Sequence, residues 1–337
     1  MNGSSSPHPA RVAIVGAGLA GLTAGRALHD AGLVATLFDK GRRAGGRLST
    51  RRADAFQFDH GAQYLTARAP EFQAVVDGLV GQGVLAEWAP RLARLSDGAL
   101  DVVEDGRRRF VGVPTMSAFP RALAPGLDLR EHVRIERALR EGERWTLIDT
   151  DGERHEGFDA VLITAPVVQA RDLLGGEFPG ALAAAEGATL RPCLAVMLGL
   201  SEPYEVPFDG AWVDDSPLAW IARNSSKPGR PAGESWILHA DHGWTEARLE
   251  EDREASAEAL VRELTRVTGV PLPQVVHRAA HLWGYALADP ALEDGCLVDR
   301  ELGVALAGDW CAGNRVEGAW RSGRAAAAAL IELQSSR

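Results

Sequence analysis

The period of the hydrophobic positions changes along this chain, and each change predicts an element. Residues 12–15 form an unbroken apolar run of strand length. Apolar positions then fall at helical spacing from Leu19 to Leu28, and residues 34–38 form a second short run. The pattern predicts strand, helix, strand. Residues 70–81 place Phe72, Val75, Val76 and Leu79 on one helical face. Residues 85–110 alternate, with turns at Ser96-Asp97-Gly98 and Glu104-Asp105-Gly106, which predicts antiparallel strands of a second sheet. Pro114 opens a helix to Leu123. Strands at 133–135, 145–149 and 160–164 form a small meander, with turns at Glu141-Gly142 and Asp151-Gly152.

Further along, residues 193–200, 218–222 and 235–240 read as strands. Residues 245–268 read as one long amphipathic helix with Ala257, Leu260, Val261, Leu264 and Val267 on its buried stripe. Glu258 and Arg262 form a surface pair on that helix. An apolar strand at 302–307 and an Ala-rich helix to Leu333 close the pattern. Residues 1–10 are Ser, Pro and Gly without an apolar middle, and predict a disordered tail rather than a leader.

The turn between the first strand and helix reads Gly16-Ala17-Gly18-Leu19-Ala20-Gly21. Gly16 suits a tight turn, Gly18 close approach to a pyrophosphate, and Gly21 close packing of helix on strand. The helix N-terminus offers unpaired N–H groups and a positive dipole end. Asp39 ends the second strand, about 20 residues on, where a carboxylate meets an adenosine ribose. These features predict dinucleotide binding, and Asp39 alone fits NAD or FAD.

The following segment favours FAD. Lys40 and then Gly45-Gly46-Arg47 offer backbone access and a cation for a second set of contacts, as an extended flavin dinucleotide requires. The neighbouring Arg42, Arg43, Arg51 and Arg52 read as a basic surface loop. Near the far end, Gly308-Asp309 follows a strand and precedes Glu317-Gly318-Ala319 at a helix start. Asp309 can accept from a ribityl hydroxyl, and the helix dipole can stabilise negative charge on a reduced flavin ring. Glu317 is read equally as a helix cap or a flavin contact.

The 337 residues suit two intertwined domains. Hydrophobic content of 46% with 24% charged residues is ordinary for a globular protein. A net charge of −10 argues against general binding to nucleic acid or anionic membranes. No apolar stretch is long enough to predict a transmembrane helix. Cys193, Cys296 and Cys311 share no CxxC spacing and no His cluster; they read as reduced thiols of a cytoplasmic protein, with no metal site and a non-covalent flavin.

Together these motifs resemble the amine-oxidase-like FAD flavoproteins and, within them, the bacterial renalases. The likeness rests on Phe58-Asp59-His60-Gly61-Ala62-Gln63-Tyr64 and on Trp220-Ile221-Ala222-Arg223-Asn224-Ser225-Ser226-Lys227-Pro228-Gly229-Arg230. It continues in Trp236 to Ala240, in Trp283-Gly284-Tyr285, and in Ala307-Gly308-Asp309-Trp310-Cys311, so it covers nearly the whole chain. One departure stands out: Gly284 lies where a longer, often basic, side chain is expected.

The resemblance implies an α/β, Rossmann-like FAD-binding domain joined to an α+β substrate domain built on an antiparallel sheet. This is the architecture of the amine oxidases and of p-hydroxybenzoate hydroxylase. The FAD-binding domain is expected at 11–65, 125–175 and 297–337, and the substrate domain at 66–124 and 176–296. Further cofactor contacts are expected at His60 (through its backbone), Gly61, Ala62, Gln63, Val133 and Ala165. Tyr64, Trp220, Asn224, His239, Trp283 and Tyr285 are expected to position the substrate, each Trp being read equally as sheet core.

The implied activity is oxidation of 2- or 6-dihydro isomers of NAD(P) to NAD(P)+. Hydride passes to flavin N5, and O2 reoxidises the flavin to give H2O2. No acid–base pair is needed, because the ring nitrogen pushes and aromatisation drives. Two alternatives stand beside it: an amine oxidase of another substrate class, and a flavin redox sensor without turnover.

Overall fold

The computed structural model describes residues 9–175, 183 and 185–335. Residues 1–8 of the tail expected at 1–10, and the expected domain break at 176, lie outside them; the Ala10 carbonyl accepts from Val34 N at 2.9 Å. No helix among the described residues is long and apolar enough to cross a membrane.

The chain divides into two units. The first comprises Met1–Gly46, Pro120–Thr189 and Pro290–Arg337, the second Arg47–Phe119 and Leu190–Asp289. Residues 47–65, expected with the nucleotide-binding half, therefore cluster with the second unit.

The first unit carries a six-stranded sheet in the order Leu297–Asp299, Val304–Leu306, Ala160–Ile163, Arg11–Val15, Val34–Asp39, Asp128–Glu131. All neighbours are parallel except the first pair. The central strands are unbroken apolar runs because both faces are covered. The helices Leu19–Asp30 and Val316–Ser335 supply Leu22, Leu28, Ala326 and Leu330 to a core shared with Val12, Ile14, Leu37 and Leu162. Gly323 of the last helix sits so close to the first that a Cβ there would overlap the Ala20 carbonyl oxygen. A separate antiparallel meander is formed by Ile135–Glu141, Arg144–Asp149 and Arg154–Phe158.

Two expectations change here. The 160–164 segment leaves the meander and lies parallel between Arg11–Val15 and Val304–Leu306, as its four consecutive buried residues require. The strand expected at 133–135 starts at Ile135 and runs to Glu141.

The second unit carries a seven-stranded sheet in the order Val275–Ala288, Leu190–Leu200, Ser235–Ala240, Leu218–Arg223, Gly210–Val213, Leu92–Ser96, Ala99–Val102. Pairing is antiparallel throughout except between Gly210–Val213 and Leu92–Ser96. Of the strands expected at 85–110, only two join this sheet. Leu85–Trp88 and Arg109–Gly112 pair as their own ribbon, and so do Arg51–Ala53 and Phe56–Phe58.

The helix expected at 245–268 is broken. Asp241 caps a short helix, His242–Glu246, by accepting from Trp244 N at 2.9 Å. Asp252 caps Arg253–Thr268 by accepting from Ala255 N at 3.1 Å. Residues 114–117 turn before a helix that starts at Ala118, not at Pro114.

Strand alternation then sorts the large sheet into two faces. Val196, Leu198, Leu238 and Ile221 pack with Ala257, Leu260 and Leu264 of the Arg253–Thr268 helix. In register across the opposite face run Trp212, Trp220, His239, Ala195 and His281. That face carries most of the second unit's residues expected to position the substrate.

Candidate functional site

In the first unit the glycine turn is held from both sides. Gly16 has φ +104°, its N–H donates to the Phe38 carbonyl at 2.8 Å, and its carbonyl accepts from Thr164 Oγ1 at 2.9 Å. A Cβ on Gly21 would overlap the Gly16 carbonyl oxygen, whereas one on Gly18 would meet nothing within 4 Å. Gly18 also leaves the helix without a side-chain cap. The approach to the helix N-terminus is therefore open, which suits a diphosphate.

Asp39 accepts from Ala17 N at 2.6 Å and Gly41 N at 2.7 Å, so its carboxylate is fixed at the mouth of the turn. Its carbonyl accepts from Val133 N at 3.0 Å, and Lys40 beside it is exposed. The second glycine pair docks on the first loop. Gly45 N donates to the Ala17 carbonyl at 2.9 Å, and Gly46 lies against the Gly18 Cα. Ala165 follows Thr164 at the end of its strand. At the far end, Gly308 N donates to Ser322 Oγ at 2.9 Å and Trp310 N to Asp309 Oδ1 at 3.0 Å. Asp309 and Glu317 are both buried, and a Cβ on Gly318 would press on the Ala312 carbonyl. Burial pushes the neighbouring Cys311 thiol above its usual range, so it stays protonated.

The remaining expected cofactor contacts belong to the second unit. Arg47 donates from Nη1 to the Ala286 carbonyl at 2.9 Å, and its own carbonyl accepts from Ala62 N at 2.9 Å. Gly61 allows that approach, since a Cβ there would overlap the same Arg47 oxygen. The His60 carbonyl accepts from Trp283 Nε1 at 2.9 Å and pairs with His239 Nε2 at 3.2 Å. The His60 ring stacks on Trp283 with centroids 5.1 Å apart and meets His281 edge-on at 4.9 Å. Burial, with the nearby His281 assisting, drives the His60 pKa down to about 4. Burial also holds His239 at about 4. Both imidazoles are therefore neutral at neutral pH.

Beneath this loop lies a buried ion cluster. Asp59 Oδ2 accepts from Arg230 at 2.6 and 3.1 Å and stands 3.7 Å from Lys227 Nζ; Oδ1 accepts from Thr50 at 2.6 Å and Met116 N at 3.1 Å. Burial alone would raise the Asp59 pKa, but Lys227 and Arg230 overcome it and hold the carboxylate below its usual range. Lys227 Nζ also donates to Gln63 Oε1 and Asn224 Oδ1, each at 3.1 Å. Burial pushes the Lys227 ammonium down to about 7 despite Asp59.

This cluster corrects one expectation. Asn224 is fully buried, and its amide is spent on Lys227, on Asp59 N and on the Gln57 carbonyl at 2.8 Å. Gln63 is spent in the same way, on Lys227 and on the carbonyls of Asp59 and Gly61.

Tyr64 lies 5.9 Å from the Trp220 ring and 6.0 Å from Trp88. Tyr285 sits where the register of its strand slips between Trp283 and Leu287, and Gly284 has open space where a side chain would be. Sequence reasoning missed Trp88, Arg109 and His281. The alternation of Val275–Ala288 would have found His281, two residues before Trp283; for Arg109 no local signal exists. Asp149, Glu153 and His155 of the first unit could reach one metal ion, but Asp149 and His155 already pair at 3.0 Å with Arg130 beside the ring.

A parallel sheet with an open glycine turn, an uncapped helix and a carboxylate at the ribose position defines the first unit as a dinucleotide-binding fold. Residues 14–79 match the NAD(P)-binding Rossmann-like domain. Residues 77–331, well over half of the sequence, match the flavin containing amine oxidoreductases. The chain belongs to the flavin-containing amine oxidoreductase family, and its cofactor is FAD. The open approach over Gly18 and the fixed Asp39 fit the adenosine diphosphate half of that cofactor.

Among similar proteins, an L-glutamate oxidase precursor of Streptomyces diastatochromogenes is 42% identical over 80 residues, 22% of this chain and 12% of that protein. Protoporphyrinogen oxidase 2 of Arabidopsis thaliana is 39% identical over 69 residues, 20% of this chain and 14% of that protein. The matches thus span a small part of either relative. The crystal structure of a candidate protoporphyrinogen oxidase from Exiguobacterium sp. 255-15 superposes with TM-score 0.78 at 14% identity, covering 96% of this chain and 99% of that one. That likeness is one of fold.

Proposed function

We propose that this protein oxidises a misreduced nicotinamide nucleotide, a 2- or 6-dihydro isomer of NAD(P), to aromatic NAD(P)+, as the bacterial renalases do. The observation that carries this reading is the aromatic cluster of the second unit, where His60 stacks on Trp283 beside a neutral His239. A dihydropyridine is planar and uncharged, and it gains aromaticity when hydride leaves. Its own nitrogen lone pair pushes, so no side chain has to remove a proton. The nearby buried carboxylate, Asp59, is committed to Arg230 and Lys227 and has no free role as a base.

Bound FAD supplies the hydride acceptor, with O2 as final oxidant and H2O2 as product. The chain contributes position. His239 and Trp283 fix the His60 backbone, while Tyr64, Trp220 and Tyr285 complete the aromatic wall. An alkylammonium substrate fits this wall less well, because Lys227 and Arg109 are buried cations beside Trp88 and Tyr64.

Anaerobic mixing of the FAD-loaded protein with purified dihydronicotinamide isomers and with a panel of amines tests the reading. Loss of flavin absorbance with a dihydronicotinamide and not with amines supports it. The reverse result hands the site to an amine substrate. No bleaching by either leaves the redox sensor.

A further inference from the structure

One peptide unit of the glycine turn is gripped at both of its ends. The Gly16 carbonyl accepts from Thr164 Oγ1 at 2.9 Å, and the Ala17 N–H donates to Asp39 Oδ2 at 2.6 Å. Both groups belong to the bond between Gly16 and Ala17. In a trans peptide they point in opposite directions, so Thr164 and Asp39 stand on opposite sides of one peptide unit. The two side chains come from strands on either side of Arg11–Val15. Asp39 ends Val34–Asp39, and Thr164 directly follows Ala160–Ile163.

The fit around Thr164 is close. Its hydroxyl hydrogen is shared with the Val15 carbonyl at 3.1 Å, and its own N–H donates to that carbonyl at 2.8 Å. A Cβ on Gly16 would come within 2.6 Å of Oγ1, and one on Gly21 within 3.0 Å. Both glycines therefore leave open the notch that this hydroxyl fills. Gly16 has φ +104°, and glycine is permissive enough that its own backbone does not stop the following peptide from rotating. Rotation would carry the Ala17 N–H away from Asp39. The Thr164 hydroxyl opposes it by holding the carbonyl end.

The effect reaches the carboxylate. Asp39 is half-buried and accepts Ala17 N on Oδ2 and Gly41 N on Oδ1. A carboxylate offers about four acceptor positions, so each oxygen keeps capacity for a further donor. A vicinal diol needs such a pair of acceptors, and the adenosine ribose of FAD presents one.

We propose that Thr164 is a positioning residue for FAD: by holding the Gly16–Ala17 peptide it aims the Asp39 carboxylate at the adenosine ribose and so sets cofactor affinity. It acts through the peptide and through Asp39. The role holds whichever substrate the protein oxidises.

Equilibrium dialysis of the FAD-loaded full chain, read as a dissociation constant, tests this role. Thr164→Val loses the hydroxyl and should weaken FAD about tenfold, the scale of one well-made hydrogen bond. Thr164→Ala, which puts no extra methyl into the notch, should fall with it. Thr164→Ser restores the hydroxyl and should stay within about threefold of wild type. On an Asp39→Ala background the far grip is already gone, so Thr164→Val should cost about twofold or less further. That non-additivity separates positioning of Asp39 from general support of the fold.

Wild-type affinity in Thr164→Val and Thr164→Ala overturns the proposal. So does a loss in Thr164→Ser equal to theirs, or an undiminished penalty on the Asp39→Ala background. Failure of both Thr164→Val and Thr164→Ala to fold makes the hydroxyl a requirement of the fold and overturns its role in affinity.

Discussion

Asp59 and Arg230 meet side-on, at 2.6 and 3.1 Å, with neither side chain more than 1% exposed. They lie far apart in sequence, so this contact ties the loop before Tyr64 to the segment after Leu218–Arg223. Removing the carboxylate leaves two buried cations unmatched. Asp59→Asn should cost about 3–5 kcal/mol in urea unfolding. The same change at Asp209, paired with a largely exposed Arg91, should cost about 1 kcal/mol or less.

Acid should weaken the fold before carboxylates titrate. His60 and His239 have pKa values of about 4 in the folded protein, against 6.5 for a free imidazole. Between those limits the unfolded chain binds protons that the folded one refuses. The contribution is complete above pH 6.5 and is lost as pH falls through 4, up to about 3 kcal/mol for each ring. Thermal unfolding from pH 7 to pH 4.5 measures the slope, and His60→Gln should flatten it.

The cradle in the first unit makes separable claims on cofactor. Asp39→Ala removes the acceptor that holds the Ala17 and Gly41 amides, and should lower flavin absorbance per protein after purification. Asp309→Ala should do the same from the far end. Gly21→Ala should lower both flavin content and stability, because its Cβ has no room against Gly16. A fully yellow Gly21→Ala protein would remove that turn from the binding site.

His239→Ala should keep its flavin and raise the substrate concentration needed for half-maximal rate. His239 touches the His60 carbonyl and shares the sheet face with Trp220, so its loss disturbs the pocket and leaves the glycine turn intact. Loss of flavin from this variant would contradict its place in the substrate pocket.

The elements that announced themselves in the sequence are those whose burial follows one period. Arg11–Val15, Leu19–Asp30 and Pro70–Gly81 are buried on the pattern their residues show. Val275–Ala288 escaped notice because its residues are mixed in polarity and nearly all half-buried, as expected of an edge strand. The helix at 245–268 was drawn too long because its stripe continues through the linker, although Asp252 three residues before Ala255 is a readable start signal.

The glycine turn and Asp39 could be found from local spacing. The Asp59–Lys227–Arg230 cluster and Arg109 could not, since their partners are brought together only by the sheet. Nor is the burial of Asn224 legible for the same reason: a polar residue in a distinctive motif reads as a ligand contact from its sequence alone.

The tight seat of Gly323 on the Ala20 carbonyl has a consequence for biosynthesis. The helix that backs the glycine turn leaves the ribosome long after the turn itself has emerged. The nascent turn segment must wait, unfinished, for some three hundred residues of intervening translation. Cofactor capture should therefore await that helix, and chains stalled before residue 316 should emerge without flavin.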